Sequence, residues 1–175
     1  MKKLIIAAAM VCAAAFAQAA TVNWTISNVL AEGGGAPTAG WAVMAFYTEV
    51  DAGSGAIVSA IASKTAASLA FETTTLAVSM SKGKVAAHDY DVTSITDTSK
   101  NYDLYFVVFN GSDPTTATKY AIVSDLNKEY SSMKGNYKGS ANFSGATWTE
   151  AVPEPTTGLL VLLGVAGLAL RRRRA

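Results

Sequence analysis

Residues 20–151 of this chain contain no cysteine and no arginine, and His88 is their single histidine. The absence of cysteine excludes disulfides, thiol nucleophiles and thiolate metal ligands from this segment. The absence of arginine removes the planar fork with which proteins often bind phosphate or carboxylate groups. With one histidine and no cysteine, zinc chemistry is also disfavoured. We therefore expect no metal and no cofactor.

Positive charge is scarce in the same part of the chain. Residues 20–155 hold eight lysines against thirteen acidic residues and have a net charge of −5, so the overall charge of +1 comes from the two ends. A nucleic-acid-binding surface needs a concentration of basic residues, and we expect no nucleic acid as a partner. The 132 residues from 20 to 151 suit one domain with its own hydrophobic core.

Long apolar runs occur at the two ends, and the first has the plan of a secretory signal peptide over residues 1–19. Lys2 and Lys3 form a basic start, residues 4–16 are uncharged, and Ala17-Gln18-Ala19 fits the small-x-small cleavage rule. We predict cleavage after Ala19, which makes Ala20 the mature N-terminus; cleavage after Ala17 and an uncleaved anchor are the alternatives. A signal peptide implies two partners, the secretory translocon and signal peptidase.

The second apolar run belongs to a three-part tail, residues 152–175, which reads VPEP, then TTGLLVLLGVAGLAL, then RRRRA. Residues 156–170 carry no charge, but a membrane helix usually needs about 17–20 apolar residues. Local thinning of the bilayer and snorkelling of flanking side chains compensate for a short span. We predict one transmembrane helix here. The positive-inside rule keeps the basic end in the cytoplasm, with the stop formed by Arg171, Arg172, Arg173 and Arg174.

The Val-Pro-Glu-Pro segment is predicted to be stiff and extended. Pro153 and Pro155 lack N–H donors and fix φ, and each pushes the preceding residue, Val152 or Glu154, towards an extended conformation. An extended stretch at the membrane surface is a suitable substrate for a protease or transpeptidase. The alternative is an ordinary C-terminal anchor in which the Pro-Glu-Pro sequence is a coincidence.

Val152, Pro153, Glu154 and Pro155, the apolar run and the four arginines together resemble the PEP-CTERM sorting signal of Gram-negative bacteria. The resemblance implies an inner-membrane-anchored precursor that is processed by an exosortase, an integral-membrane cysteine transpeptidase. The exosortase would cut near Pro-Glu-Pro and pass the protein to another acceptor. The resemblance further implies a cell-surface or extracellular location, associated with extracellular polysaccharide or biofilm. In this interpretation the chain is the substrate and the exosortase supplies the catalytic cysteine.

Between the ends, short alternating or apolar segments separated by turn signals predict a mainly β domain, specifically an antiparallel β-sandwich with one helix. We predict strands over residues 21–30, 41–50, 71–80, 85–93, 102–109, 119–125 and 140–150, and a turn over residues 81–84. The alanine-rich segment 56–69 favours a helix, which we expect to cross between sheets.

Few residues in this domain are candidates for chemistry. His88 has no G-x-S-x-G elbow to accompany it, so a solvated surface residue is the preferred interpretation. Asp89 and Asp91 are candidate calcium ligands, but the spacing of a calcium loop is absent and solvated acidic residues explain them more simply. The candidates for stacking on sugars are Trp24, Trp41, Trp148, Tyr130 and Tyr137, although core packing explains the tryptophans more simply.

The sequence leaves three hypotheses for the exported domain. The first is a non-catalytic surface or matrix protein with a structural or adhesive role. The second is a small carbohydrate-binding module of the extracellular polysaccharide matrix. The third is a hydrolase of that matrix, which would need two carboxylates that meet in a cleft.

Overall fold

The structure, a computed structural model, describes residues 20–50, 52–92, 101–130 and 137–151. The strands in these ranges are β1 (Ala20–Val29), β2 (Ala42–Glu49), β3 (Glu72–Thr75), β4 (Ala77–Ser79), β5 (Lys82–Val92), β6 (Tyr102–Phe109), β7 (Lys119–Tyr130), β8 (Tyr137–Asn142) and β9 (Trp148–Glu150). One α-helix, α1 (Gly55–Ala62), follows β2, and short 3₁₀ helices cover Glu32–Gly34 and Ala66–Ser68.

The strands form two sheets. The first has the order β4-β5-β1-β8 and the second the order β3-β2-β6-β7-β9. All pairs are antiparallel except β1 with β8, in which Val22 pairs with Tyr137 and Ser27 with Asn142 in parallel. The predicted mainly β, antiparallel architecture with one helix is therefore confirmed, with this one parallel pair as the exception. The exception arises because the chain enters β8 from the opposite sheet, so no hairpin sets its direction.

The main core lies between the two sheets. Val22, Trp24 and Ile26 of β1 are fully buried and belong to the same apolar cluster as Leu104 and Phe106 of β6. The intervening β1 residues are more exposed, as the two-residue period of a strand requires. This contact between sheets makes the domain a sandwich.

A second apolar cluster covers the outer face of the five-stranded sheet. Ile57 and Ile61 of α1 are buried there together with Met44 and Phe46 of β2. The five-stranded sheet is thus covered on both sides, which explains why β2 and β6 are apolar on both faces. As predicted, β2 is a central strand; it lies between β3 and β6.

The helix is shorter than predicted and makes a different connection. It ends at Ala62, where Lys64 takes a positive φ of 60° and the N–H of Thr65 bonds to the carbonyl of Ala60 at 2.8 Å. It joins β2 to β3, which are neighbours in one sheet, so the expectation of a crossover between sheets was wrong. The apolar side of the helix packs on the outer face of that sheet, so among the described residues the helix is buried without contact with the other sheet.

Two predicted strands each prove to be two strands in different sheets. The segment 71–80 changes sheet at Leu76, whose backbone bonds to Gly40 and Trp41 at 2.8 Å. The segment 140–150 contains the end of β8 and all of β9, separated by a bend with Gly145 at φ 79°. In both places the pattern typical of a strand continues through the point where the chain changes sheet. The pattern alone therefore does not reveal the change. The turn predicted over 81–84 lies instead at residues 80–81, since Ser79 pairs with Lys82.

Candidate functional site

The residues predicted to direct export and sorting lie outside the described part of the chain. These are Ala17, Ala19, Val152, Pro153, Glu154, Pro155, Arg171, Arg172, Arg173 and Arg174. Ala20, the predicted mature N-terminus, is the first residue of β1. Within residues 20–151 as described, no helix is long and apolar enough to cross a membrane, and the predicted span at 156–170 stays a prediction.

The domain is packed up to the residue that precedes Val152. Strand β9 pairs with the start of β7, with Thr149 opposite Tyr120. The N–H of Ala151 then donates to the carbonyl of Thr118 at 2.7 Å, and Ala151 is only 3% exposed. The predicted sorting segment therefore follows the folded domain without a spacer.

Beside this end of the chain lies an aromatic and charged depression, which we call the tryptophan corner: Glu32, Trp41, Asn110, Lys119, Trp148 and Glu150. The rings of Trp41 and Trp148 meet edge to face, with centroids 5.5 Å apart and planes at 78°. The Nε1–H of Trp148 donates to the carbonyl of Leu30 at 3.1 Å. Both rings are partly buried against the main core, so their positions are set by packing.

A lysine between two carboxylates forms the polar side of the corner. The Nζ of Lys119 lies 2.6 Å from Oε2 of Glu32 and 3.2 Å from Oε1 of Glu150. Hydrogen bonds to Glu32 and then to Glu150 raise the pKa of Lys119 above its ordinary value of 10.5. Its contribution to stability is therefore present below pH 10.5 and is lost only as the pH rises through the higher pKa of the folded state. Because all three side chains are solvent-accessible, screening keeps this contribution small.

Asn110 positions the lysine. Its Oδ1 accepts the backbone N–H groups of Thr118 and Lys119 at 3.0 and 2.9 Å, and its Nδ2 donates to Oγ1 of Thr118 at 2.8 Å. The loop from β6 to β7 is thereby closed at its base. Within the loop, hydrogen bonds from Thr115 hold the pKa of Asp113 below its ordinary value of 3.8. The backbone of Lys119, the first residue of β7, is therefore held in place by Asn110.

The corner encloses an open cavity of about 210 Å³, lined by Ala31, Glu32, Trp41, Asn110, Lys119 and Trp148. Pockets for drug-sized ligands are usually about 300–1,000 Å³, so this cavity suits one small ring rather than a large ligand. It combines indole surface with carboxylate acceptors and an ammonium donor, a combination that suits a ligand with both an apolar face and hydroxyl groups.

The structure does not bring the predicted calcium candidates into a multidentate site among the described side chains. Asp89 lies exposed in β5, where its carboxylate accepts a hydrogen bond from the side chain of Asn23. Asp91 and His88 also lie in β5, and their side chains are outside the described set. In the described residues no three His, Cys, Asp or Glu side chains are grouped as a metal would require. The calcium interpretation stays a prediction.

The sugar-stacking candidates fall into different environments. Trp24 is fully buried in the main core and is unavailable to a ligand. Trp41 and Trp148 are brought together at the corner. Tyr130 and Tyr137 lie in β7 and β8, and their side chains are outside the described set.

A larger groove, of about 530 Å³, lies at the opposite end of the five-stranded sheet, between α1 and the end of β2. Tyr47, Glu49, Ile57 and Leu69 are among its lining residues, and Leu69 is 49% exposed. Its described lining is mostly apolar, and Glu49 is the charged residue among those lining residues.

Sequence reasoning did not single out Glu32, Lys119 or Glu150. The three residues are separated by up to 118 positions and lie in a short 3₁₀ helix, a strand start and a short edge strand. Lysines and glutamates in such places are ordinarily solvated, and no local spacing marks them. Of the residues in the corner, only Trp41 and Trp148 were identified from the sequence as candidate ligand contacts.

Among known protein families, the model of the PEP-CTERM protein-sorting motif matches residues 151–174. The chain therefore carries this motif, and the resemblance inferred from its sequence to an exosortase substrate is confirmed. No curated protein and no solved structure matches the chain at a significant level. The matched segment begins at Ala151, the last residue of the described domain.

Proposed function

We propose that this protein is an exported, non-catalytic component of the cell surface or extracellular matrix, with a structural or adhesive role. The observation that carries the proposal is the PEP-CTERM motif at residues 151–174, which starts at Ala151, a buried residue that is hydrogen-bonded into the β-sandwich. A sorting tail that directly follows one folded domain suits a protein in which that domain is the part delivered to the surface.

The proposed route has three steps. The signal peptide of residues 1–19 directs the chain to the secretory translocon and is removed by signal peptidase. The apolar segment 156–170 then holds the precursor in the inner membrane, with residues 171–174 in the cytoplasm. An exosortase recognises the extended Pro-Glu-Pro segment on the outer side and releases the domain to the surface.

In this proposal the domain lies close to the membrane before processing. Residues 152–155 are the only residues between the domain and the predicted span, and four residues reach at most about 14 Å when fully extended. Ala151 itself is held by Thr118 and supplies no further slack. The exosortase therefore has to act beside the folded domain.

Carbohydrate binding is a second candidate for the role of the domain. The specific observation in its favour is the tryptophan corner, where two half-buried indoles border a small cavity with charged groups. Sugar ligands commonly use an aromatic face together with carboxylate and amine partners, since each ring has apolar C–H faces and polar edges.

Replacing the three motif residues together, Pro153→Ala, Glu154→Ala and Pro155→Ala, tests the sorting proposal. We expect the variant to insert normally but to remain as a membrane-bound precursor, because the extended recognition segment is lost. Fractionation and mass spectrometry of both termini measure the outcome. The matched control is Thr156→Ala with Thr157→Ala, which changes the adjacent residues and should leave processing intact.

Release of the triple variant with a normally trimmed C-terminus would show that Pro-Glu-Pro is not the recognition element. The same measurement on the unaltered protein locates both cleavage positions. An intact residue 1–19 segment on the surface form would contradict the predicted signal peptide.

A further inference from the structure

We propose that the tryptophan corner is a binding site for one uncharged sugar residue of a surface polysaccharide. The inference deepens the second candidate function and rests on the proposed surface role of the domain. It assigns the site to the cavity between Trp41, Trp148, Glu32 and Lys119.

The aromatic part of the site is preorganised. Trp148 is held by its hydrogen bond to Leu30 and by the pairing of β9 with β7, while Trp41 leads into the central strand β2. Their edge-to-face contact at 5.5 Å leaves the two indoles at nearly right angles, so they form a corner instead of one flat platform. A corner offers one ring face for stacking and a second wall that limits the ligand to a single ring. Little conformational entropy is lost when such rigid side chains bind.

The polar part of the site supplies both kinds of hydrogen-bonding partner that hydroxyl groups need. The carboxylates of Glu32 and Glu150 accept hydrogen bonds and have lone pairs beyond those used by Lys119. The ammonium of Lys119 has three N–H groups, and the two carboxylates account for two of them. Hydrogen bonds to charged partners are stronger than those between neutral groups, which favours vicinal hydroxyls as ligands.

Charge selects the class of sugar. Two carboxylates and one ammonium leave the corner with a net charge of −1, and the exported segment as a whole has a net charge of −5 with no arginine. Uronic acids and sulfated sugars would be repelled by both. The volume of about 210 Å³ further favours a single sugar ring. An uncharged hexose in a polysaccharide meets all of these requirements.

The test is isothermal titration calorimetry on the full chain in detergent micelles, with dextran and galactomannan as neutral probes and alginate as the acidic probe. We expect at least one neutral polymer to bind and alginate not to bind. Trp41→Ala and Lys119→Met should each weaken that binding by about tenfold or more. Lys84→Met and Glu49→Gln, which change exposed residues outside the corner, are the matched controls and should leave affinity unchanged. Near-ultraviolet circular dichroism establishes that each variant is folded; if Trp41→Ala is not, Lys119→Met tests the same site.

The double variant Glu32→Gln with Glu150→Gln tests the charge argument separately. It leaves Lys119 as the only charge of the corner, and alginate should then bind as well as the neutral polymer does. Three results would overturn the proposal: no binding of either neutral polymer, equal binding of alginate by the unaltered chain, or neutral-polymer binding that Lys119→Met does not weaken. Because the chain used is unprocessed, none of these results depends on whether the exosortase acts on it.

Discussion

At the scale of single residues, Trp24 connects the two sheets through both its ring and its N–H group. It is fully buried, its ring centroid lies 5.4 Å from that of Phe106, and its Nε1–H donates to the carboxylate of Glu72. Glu72 belongs to β3 and Phe106 to β6, both in the opposite sheet. The residue therefore combines apolar packing between the sheets with a charge-assisted hydrogen bond.

Trp24→Ala should lower the free energy of unfolding by about 3–5 kcal/mol, because it opens a large cavity in the main core. Trp24→Phe should cost about 1–3 kcal/mol, since it keeps most of the packing but loses the hydrogen bond to Glu72. Urea titration measures both changes. Trp148→Phe is the matched control and should cost less, because that ring is only half buried. Equal losses for the two phenylalanine variants would contradict the role assigned to Trp24.

The sequence predicted which face of β1 is buried, but it did not predict how exposed each tryptophan is. Alternation along β1 placed Val22, Trp24 and Ile26 on one face, and the structure buries all three. It did not distinguish Trp24 from Trp41 and Trp148, because all three lie in or beside strands with similar neighbours. Exposure of a ring depends on which strand packs over it, and that is a property of the assembled sheets.

At the scale of elements, the end of α1 has a residue that is poorly suited to its conformation. The N–H groups of Lys64 and Thr65 bond to the carbonyls of Ile61 and Ala60 at 3.0 and 2.8 Å, which is the Schellman arrangement. In this arrangement the residue at the position of Lys64 takes positive φ, here 60°, where glycine is preferred. A side chain with a Cβ atom costs about 1–2 kcal/mol in this conformation.

Lys64→Gly should therefore raise the free energy of unfolding by about 1 kcal/mol, after part of the gain is offset by the greater freedom of glycine in the unfolded chain. Lys64→Ala is the matched control: it also removes the charge but keeps Cβ, and it should give no comparable gain. Thermal and urea unfolding measure the difference. If alanine stabilises as much as glycine, charge and not backbone conformation is responsible.

The strands also show what the residue pattern predicts and what it does not. β6 was predicted with its observed bounds, because aromatic and β-branched residues run from Tyr102 to Phe109 without interruption. The chain changes sheet at Leu76 within a segment read as one strand. A buried leucine and two backbone hydrogen bonds direct that change, and their partners lie at positions 40 and 41.

At the scale of the whole molecule, the last strand of the domain lies directly before the sorting motif. β9 forms one edge of the five-stranded sheet and contributes Trp148 and Glu150 to the tryptophan corner. It ends at Glu150, and the matched motif begins at the next residue, Ala151. The corner and the start of the tail therefore lie at the same end of the sandwich. A cleavage within residues 152–155 would leave the sheet and the corner complete.

A chain of residues 20–151 should accordingly unfold at the same temperature as the naturally processed protein. A chain of residues 20–147 should melt lower by on the order of 5–10 °C, because it lacks β9, the buried Ala151 and the ring of Trp148. Differential scanning calorimetry makes the comparison. Equal melting temperatures for the two truncated chains would show that β9 contributes no stability to the sandwich.

The sequence by itself determined the sorting motif, the mainly β class and most strand positions, because each depends on residues adjacent in the chain. Proline geometry, apolar length and two-residue alternation are local properties. The tertiary structure alone decided the parallel pairing of β8, the covering of the outer face by α1, and the meeting of Glu32 with Lys119 and Glu150. Those features depend on contacts between residues that are far apart in the chain, such as Val22 with Tyr137 and Glu32 with Lys119, and only the assembled sheets bring these residues together.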